Sequence, residues 1–183
     1  MSGFVVWFTG LSAAGKTTVG KLVAQELEQR GHIVEVLDGD VIRTHLSAGL
    51  GFSKEDRDAN VARIGWVASR LARAGAAVVV AAVSPYEEAR QRARALVEEH
   101  APFVEVHVAT PLEVCAARDP KGLYAKARSG EIQQFTGVSD PYEEPASPEL
   151  RLNTEGNEPA ESAATVLEVL EELRLIPATE RVS

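Results

Sequence analysis

Near its start the chain reads Gly10-Leu11-Ser12-Ala13-Ala14-Gly15-Lys16-Thr17, which fits the pattern G-x-x-x-x-G-K-[ST]. The flanks constrain the fold as strongly as the motif. Phe4-Val5-Val6-Trp7-Phe8 is a short apolar run suited to a buried strand, and Val19, Leu22, Val23 and Leu27 recur afterwards at helical spacing. Strand, glycine loop and helix in that order let backbone N–H groups close around an anion, with partial positive charge from the helix N-terminus. In such a loop Lys16 reaches the β- and γ-phosphates of a nucleoside triphosphate and the Thr17 hydroxyl holds Mg²⁺.

The rest of the chain alternates apolar runs with helical stretches. Residues 33–37, 76–83, 104–108 and 150–152 read as further strands, the first of them ending at Asp38-Gly39-Asp40. Ser53-x-x-Asp56 resembles a capping box opening a helix with Val61, Ile64, Val67, Ala68 and Leu71 inward, closed by Gly75. Ser84-Pro85-Tyr86-Glu87 and Thr110-Pro111-Leu112-Glu113 read as two more boxes with proline at the first helical position. A last helix is expected from about 160 to 173, and residues 177–183 read as a frayed, flexible tail.

This alternation specifies one α/β domain over 1–183: a three-layer sandwich with a mainly parallel five-stranded sheet and helices on both faces. Ligands of such a sheet sit beyond the carboxyl ends of its strands. The phosphate loop, Asp38-Gly39-Asp40, Ser84-Pro85-Tyr86 and the segment after Thr110 all fall there. Residues 119–148 break the pattern, being rich in glycine, proline and charge with a short helical piece at 124–129. A connection of that length in a compact domain points to a mobile active-site lid.

Composition narrows the class. The 45% hydrophobic and 25% charged content is that of a soluble globular protein, and no apolar stretch approaches the ~20 residues of a membrane span. The N-terminus lacks a signal-peptide pattern, and the single cysteine, Cys115, leaves no internal disulfide, so the cytoplasm is the expected compartment. His32, His45, His100 and His107 are scattered without ligand spacing, so no zinc site is expected. Cys115, Trp7 and Trp66 read as packing residues. A net charge of −8 argues against nucleic acid as a partner, yet Arg118, Lys121, Lys126 and Arg128, opposed only by Asp119, form a basic island suited to a small polyanion.

Without an Asn-Lys-x-Asp guanine-reading motif, and short for a motor, the chain fits a small-molecule kinase. A set of segments then resembles the adenylylsulfate kinase (APS kinase) family. They are the phosphate loop through Thr18, Asp38-Gly39-Asp40-Val41-Ile42-Arg43, Leu50 to Arg57, Asn60, and Ser84-Pro85-Tyr86. Arg118-Asp119-Pro120-Lys121-Gly122-Leu123-Tyr124, Phe135-Thr136-Gly137 and Pro141-Tyr142-Glu143 complete the series. The match runs along nearly the whole chain in the family's order. It departs at Ala13, where the family commonly has glycine, and at Val83, where isoleucine is usual.

The resemblance implies transfer of the γ-phosphoryl group of ATP to the ribose 3′-hydroxyl of adenylylsulfate, giving PAPS in sulfate assimilation. Gly10 to Thr18 would then bind ATP, with Arg118 and Thr154 near its adenine. Thr17, Asp38 and Asp40 would serve Mg²⁺, and Lys16, Asp38 and Asp40 the chemistry; the plain alternative for Asp38-Gly39-Asp40 is a turn. Arg43, Arg57 and Asn60 match positions that hold the acceptor, and Phe52 and Phe135 would sandwich its adenine. Phe135, in a polar segment, has little core to join. Ser84, Pro85, Lys121, Gly122 and Leu123 complete the acceptor set. Ser84 is a phosphoserine in some relatives, but direct transfer with Ser84 at the acceptor site is the favoured reading here. The resemblance also implies a homodimer and a functional link to ATP sulfurylase. Two alternatives stay open: another metabolite kinase, and a nucleotide-binding regulatory module without turnover.

Overall fold

The computed structural model describes residues 2–178. Its strands are β1 (Phe4–Thr9), β2 (Val34–Asp38), β3 (Ala77–Ala81), β4 (Phe103–Val108) and β5 (Leu150–Leu152). They form one parallel sheet in the order β2-β3-β1-β4-β5. The helices are α1 (Lys16–Gln29), α2 (Gly39–His45), α3 (Lys54–Arg73), α4 (Glu87–Glu98), α5 (Leu112–Arg118), α6 (Leu123–Arg128) and α7 (Pro159–Glu172).

Every residue of β1, β3 and β4 is buried, which is why these strands read as unbroken apolar runs: a parallel sheet is covered on both faces. Side chains alternate along β1. Phe4, Val6 and Phe8 pack with α1 and α7, while Val5 and Trp7 pack with α3 and α4. Burying one such aliphatic or phenyl side chain contributes roughly 1.5–3 kcal/mol, so the central strand anchors both layers. The register brings the ends of β1 and β3 side by side, with Phe8 opposite Ala81, and sets the phosphate loop beside the turn that leaves β3.

Local signals hold where the cap is local. Ser53 Oγ accepts the Asp56 N–H at 3.1 Å and starts α3 as expected. The other two boxes do not form. Ser84 Oγ is already engaged by Trp7 Nε1 and by the Ala82 carbonyl. The backbone at Ser84 turns into the left-handed region (φ 41°), β3 stops at Ala81 rather than 83, and α4 starts only at Glu87. Its N-terminus is served instead from the long connection, by Glu143 Oε2 accepting the Glu87 N–H at 2.8 Å. Thr110 Oγ1 likewise bonds the Ala14 carbonyl and Thr154 rather than capping α5. Asp38-Gly39-Asp40 is more than a turn: Asp38 Oδ1 accepts the Asp40 N–H at 3.0 Å and caps α2, a helix not anticipated.

Trp7 is fully buried, but Trp66 is 58% exposed and packs into neither layer. Of the expected tail, residues 179–183 lie outside the described residues; Pro177 accepts a 3.4 Å hydrogen bond from Arg30. Among the described residues no helix is long and apolar enough to cross a membrane.

Candidate active site

Between β1 and α1 the chain turns through Gly10 to Thr17, and each carbonyl from Leu11 to Ala14 accepts a side chain. Lys16 Nζ donates to Leu11 O at 2.6 Å, Tyr124 Oη to Ser12 O at 2.8 Å, and Arg118 Nη1 to Ala13 O at 3.3 Å. Thr110 and Thr154 both donate to Ala14 O, at 2.9 and 2.7 Å. A peptide N–H points opposite to its carbonyl, so holding Ser12 O and Ala14 O turns the Ala13 and Gly15 N–H groups the other way, while the Ala14 N–H returns to Leu11 O at 3.3 Å. Gly10 is required at the start, since a Cβ there would stand 2.5 Å from the Val108 carbonyl. Ala13 takes φ 60°, a left-handed conformation in which an alanine is strained and a glycine is not. Lys16 is buried, and burial pushes its ammonium down to about 8 against the pull of Cys115, Asp38 and Asp40.

Opposite the lysine, Thr17 Oγ1 donates to Asp38 Oδ2 at 2.7 Å. A hydroxyl and a carboxylate facing one cavity are hard oxygen donors of the kind Mg²⁺ prefers, so the residues present fit that ion. Asp40, in the first turn of α2, is exposed and pairs with Lys121, whose ammonium is held above its ordinary range by that bond.

The far wall is built around Phe52. Its ring is half exposed and carries two guanidinium groups, Arg43 at 4.4 Å and Arg57 at 5.5 Å from the centroid. Arg57 does more than wait for an anion. Its Nε donates to Phe52 O at 2.9 Å and its Nη2 to Gln134 O, tying the two backbones that present Phe52 and Phe135. Asn60 is buried beside it with Oδ1 unpartnered, a polar atom left for a ligand. Phe135 has found a core partner after all: its ring meets Tyr124 edge-on at 5.0 Å.

One continuous cavity of about 1150 Å³ joins these walls. Ser12, Ala13, Gly15, Lys16, Thr17, Thr18, Arg118 and Thr154 face it from the loop side, and Arg43, Phe52, Arg57, Asn60 and Phe135 from the other. Asp38, Asp40, Ser84, Pro85, Lys121 and Leu123 lie between. Gly10, Leu11, Ala14 and Gly122 stand outside the wall.

A family model, adenylylsulphate kinase, matches residues 2–153. The chain belongs to the adenylylsulfate kinase family. An adenylyl-sulfate kinase of Halothermothrix orenii is 52% identical over 98% of this chain and 96% of its own length. A probable bifunctional SAT/APS kinase of Sorangium cellulosum is 54% identical over 97% of this chain, which spans only 30% of that longer protein. Among solved structures, the Mycobacterium tuberculosis APS kinase CysC in complex with AMPPNP and APS superposes with a TM-score of 0.90 at 47% identity. That match covers 93% of this chain and 98% of the other.

In this adenylylsulfate kinase several site-shaping residues carry no sequence signal of their own. Trp7 and Thr9 lie in an apolar strand, yet Trp7 holds the Ser84 hydroxyl and Thr9 Oγ1 donates to Val83 O at 2.7 Å. Tyr124 and Tyr142 fall in resembling segments without an assigned role. Arg90, fully buried on α4, donates to Ser84 O (2.7 Å), Glu143 O (2.7 Å) and Glu105 (3.0 Å), fastening the serine turn to the end of the long connection. A proline-rich, polar stretch facing a buried arginine is visible only once the strands are packed.

Proposed function

We propose that this kinase transfers the γ-phosphoryl group of ATP to the ribose 3′-hydroxyl of adenylylsulfate, forming PAPS and ADP in sulfate assimilation. The observation that carries the reading is the single cavity with a phosphate loop at one end and, at the other, Phe52 flanked by Arg43, Arg57 and Asn60. The loop N–H groups and Lys16 bind the donor phosphates, while Arg118 and Thr154 face the donor base. Thr17 and Asp38 hold Mg²⁺, with Asp40 beside them. When bound, the ion neutralises charge on the β- and γ-phosphates.

Asp40 accepts the proton of the 3′-hydroxyl, and Lys121 leaves Asp40 for the phosphates when the donor binds. Phe52 and Phe135 stack on the acceptor base; Arg43 and Asn60 address its phosphosulfate and sugar, and Arg57 sets the spacing of the rings. Ser84, Pro85 and Leu123 shape the acceptor pocket. Transfer is direct: phosphoryl transfer needs alignment and charge neutralisation more than a covalent relay. Residues 119–148 act as a lid that excludes water, a competing acceptor. The domain spans 1–183, works as a homodimer in the cytoplasm, and is coupled to ATP sulfurylase. The bifunctional Sorangium cellulosum relative supports that last link.

An ADP-release assay with ATP, Mg²⁺ and adenylylsulfate, with AMP, gluconate and shikimate as rival acceptors, tests the reading. ADP formation confined to adenylylsulfate, with product phosphorylated at the 3′ position, is the expected outcome. Turnover with a rival alone would keep the kinase and discard the acceptor. ATP binding without turnover on any acceptor would favour a regulatory module.

A further inference from the structure

Tyr124 touches both halves of the cavity from behind and faces neither substrate. It is 1% exposed and lies outside the cavity wall, in the first turn of α6. Asp119 fixes that turn, accepting the Tyr124 and Ala125 N–H groups, each at 3.1 Å. From this position the hydroxyl donates to Ser12 O at 2.8 Å, and the ring packs edge-on against Phe135. Holding Ser12 O toward Tyr124 turns the N–H of the same peptide, that of Ala13, the opposite way, to the side where phosphate binds.

A second contact makes the same junction tight. A Cβ on Gly137 would stand 3.1 Å from Leu11 Cδ2, so the turn that follows Phe135 rests directly on the phosphate loop. That turn is itself closed: Phe135 O accepts the N–H groups of Val138, Ser139 and Asp140, and Ser139 Oγ accepts the Phe135 N–H at 2.8 Å. The other loop carbonyls are held by Lys16, Arg118, Thr110 and Thr154. Tyr124 joins a donor-site carbonyl to an acceptor-site ring through one rigid side chain.

We propose that Tyr124 is a positioning residue that couples the two substrate sites. Its hydroxyl sets the Ser12–Ala13 peptide for the donor phosphates, and its ring sets Phe135 for the acceptor base. Ordering of either site then favours the other, and by linkage the effect is equal in both directions. The inference rests on the reading of Phe135 as the acceptor-stacking residue.

Calorimetry on the whole chain tests it, with Mg²⁺ and AMPPNP, which transfers no phosphoryl group, and with adenylylsulfate, each alone and in the presence of the other. In the unaltered protein each ligand tightens the other by the same factor. Tyr124→Phe loses one hydrogen bond and keeps the ring. It should weaken AMPPNP roughly three- to tenfold, leave adenylylsulfate on the nucleotide-free protein within about twofold, and bring the coupling factor toward one. Tyr124→Leu should weaken both ligands, and that loss for adenylylsulfate should vanish in a Phe135→Leu background. A Tyr124→Phe protein that binds AMPPNP and couples the ligands normally, while Phe135→Leu loses adenylylsulfate, overturns the role of Tyr124 alone. A Phe135→Leu protein that binds adenylylsulfate normally overturns the acceptor reading, and the coupling with it. Equal weakening of both ligands by Tyr124→Phe, in step with a lowered Tm, marks a merely structural residue and also overturns the proposal.

Discussion

Trp7 Nε1 donates a 3.0 Å hydrogen bond to Ser84 Oγ, joining the centre of β1 to the turn that leaves β3. The hydroxyl in turn donates to Ala82 O at 3.1 Å, so its proton is committed to a carbonyl rather than to a base. Such a serine orients the pocket and is poorly set up as a nucleophile. Ser84→Ala is therefore expected to lower kcat/KM for adenylylsulfate only about tenfold, and to cost roughly 1–3 kcal/mol of stability by orphaning the indole N–H. Rapid quench with intact-mass analysis checks this. A phosphoserine on the unaltered protein, together with a thousandfold or larger loss in the variant (roughly the scale of losing a nucleophile), would reassign Ser84.

Lys16 sits buried under its own loop with its ammonium on Leu11 O. Lys16→Ala should abolish measurable turnover while the protein stays folded, because the group lost is one whose charge burial already disfavours. Circular dichroism and the ADP-release assay decide the matter together: a folded variant with an unchanged rate would sink the mechanism.

Ala13 holds φ 60° in the phosphate loop. Ala13→Gly removes that strain and should stabilise the protein by about 1 kcal/mol, raising Tm by roughly 2–4 °C. A thermal melt reads the shift. An unchanged or lowered Tm would mean that the loop relaxes around the alanine.

Arg90 and Glu105 are both buried and bonded at 3.0 Å, with the remaining guanidinium donors on Ser84 O, Glu143 O and Glu87. Arg90→Met leaves the buried Glu105 carboxylate with only the longer Arg94 contact, at 3.6 Å, and should cost about 3 kcal/mol in denaturant unfolding. Arg90→Lys should recover only part of this, since one ammonium cannot reproduce a planar fork serving four acceptors. Full recovery by lysine would show that charge alone, not geometry, holds the turn.

His107, on β4, stacks on Tyr142 at 5.7 Å with Nδ1 unpartnered. Burial, reinforced by Arg151, pushes it down from 6.5 to about 4. As pH falls from 6.5 to 4, the unfolded chain gains a proton that the folded one refuses, so stability drops by about 2–3 kcal/mol across that window. His107→Phe should keep the stacking and make the acid limb of a stability–pH curve shallower. Some slope remains, because burial lowers His32 as well. A curve that His107→Phe leaves unaltered would show that the ring takes up its proton without unfolding the chain.

Much of this architecture was legible in the chain. The phosphate loop and its flanks, the apolar strand runs, the Ser53 cap and the acidic pair after β2 all depend on residues a few positions apart. What misled was local chemistry with a distant partner. Ser84 and Thr110 carry cap-like patterns, but their hydroxyls are taken by Trp7 and Ala82, and by Ala14 and Thr154. Arg57 reads as an anion holder and proves also to be the strut between Phe52 and Gln134. Phe135 lacks apolar neighbours in sequence, and Tyr124 supplies one in space.

The sequence by itself determined the element types, the parallel sheet and the end of it where ligands collect, because steric preference and hydrophobic periodicity act over one or two turns of chain. Only the tertiary structure decided which donor meets which acceptor. A buried polar group must find a partner, and that partner is whichever segment the packing brings within 3 Å or so, often scores of residues away. Trp7 with Ser84, Arg90 with Glu143, and Tyr124 with Ser12 and Phe135 are such pairings, and they set the shape of the active site.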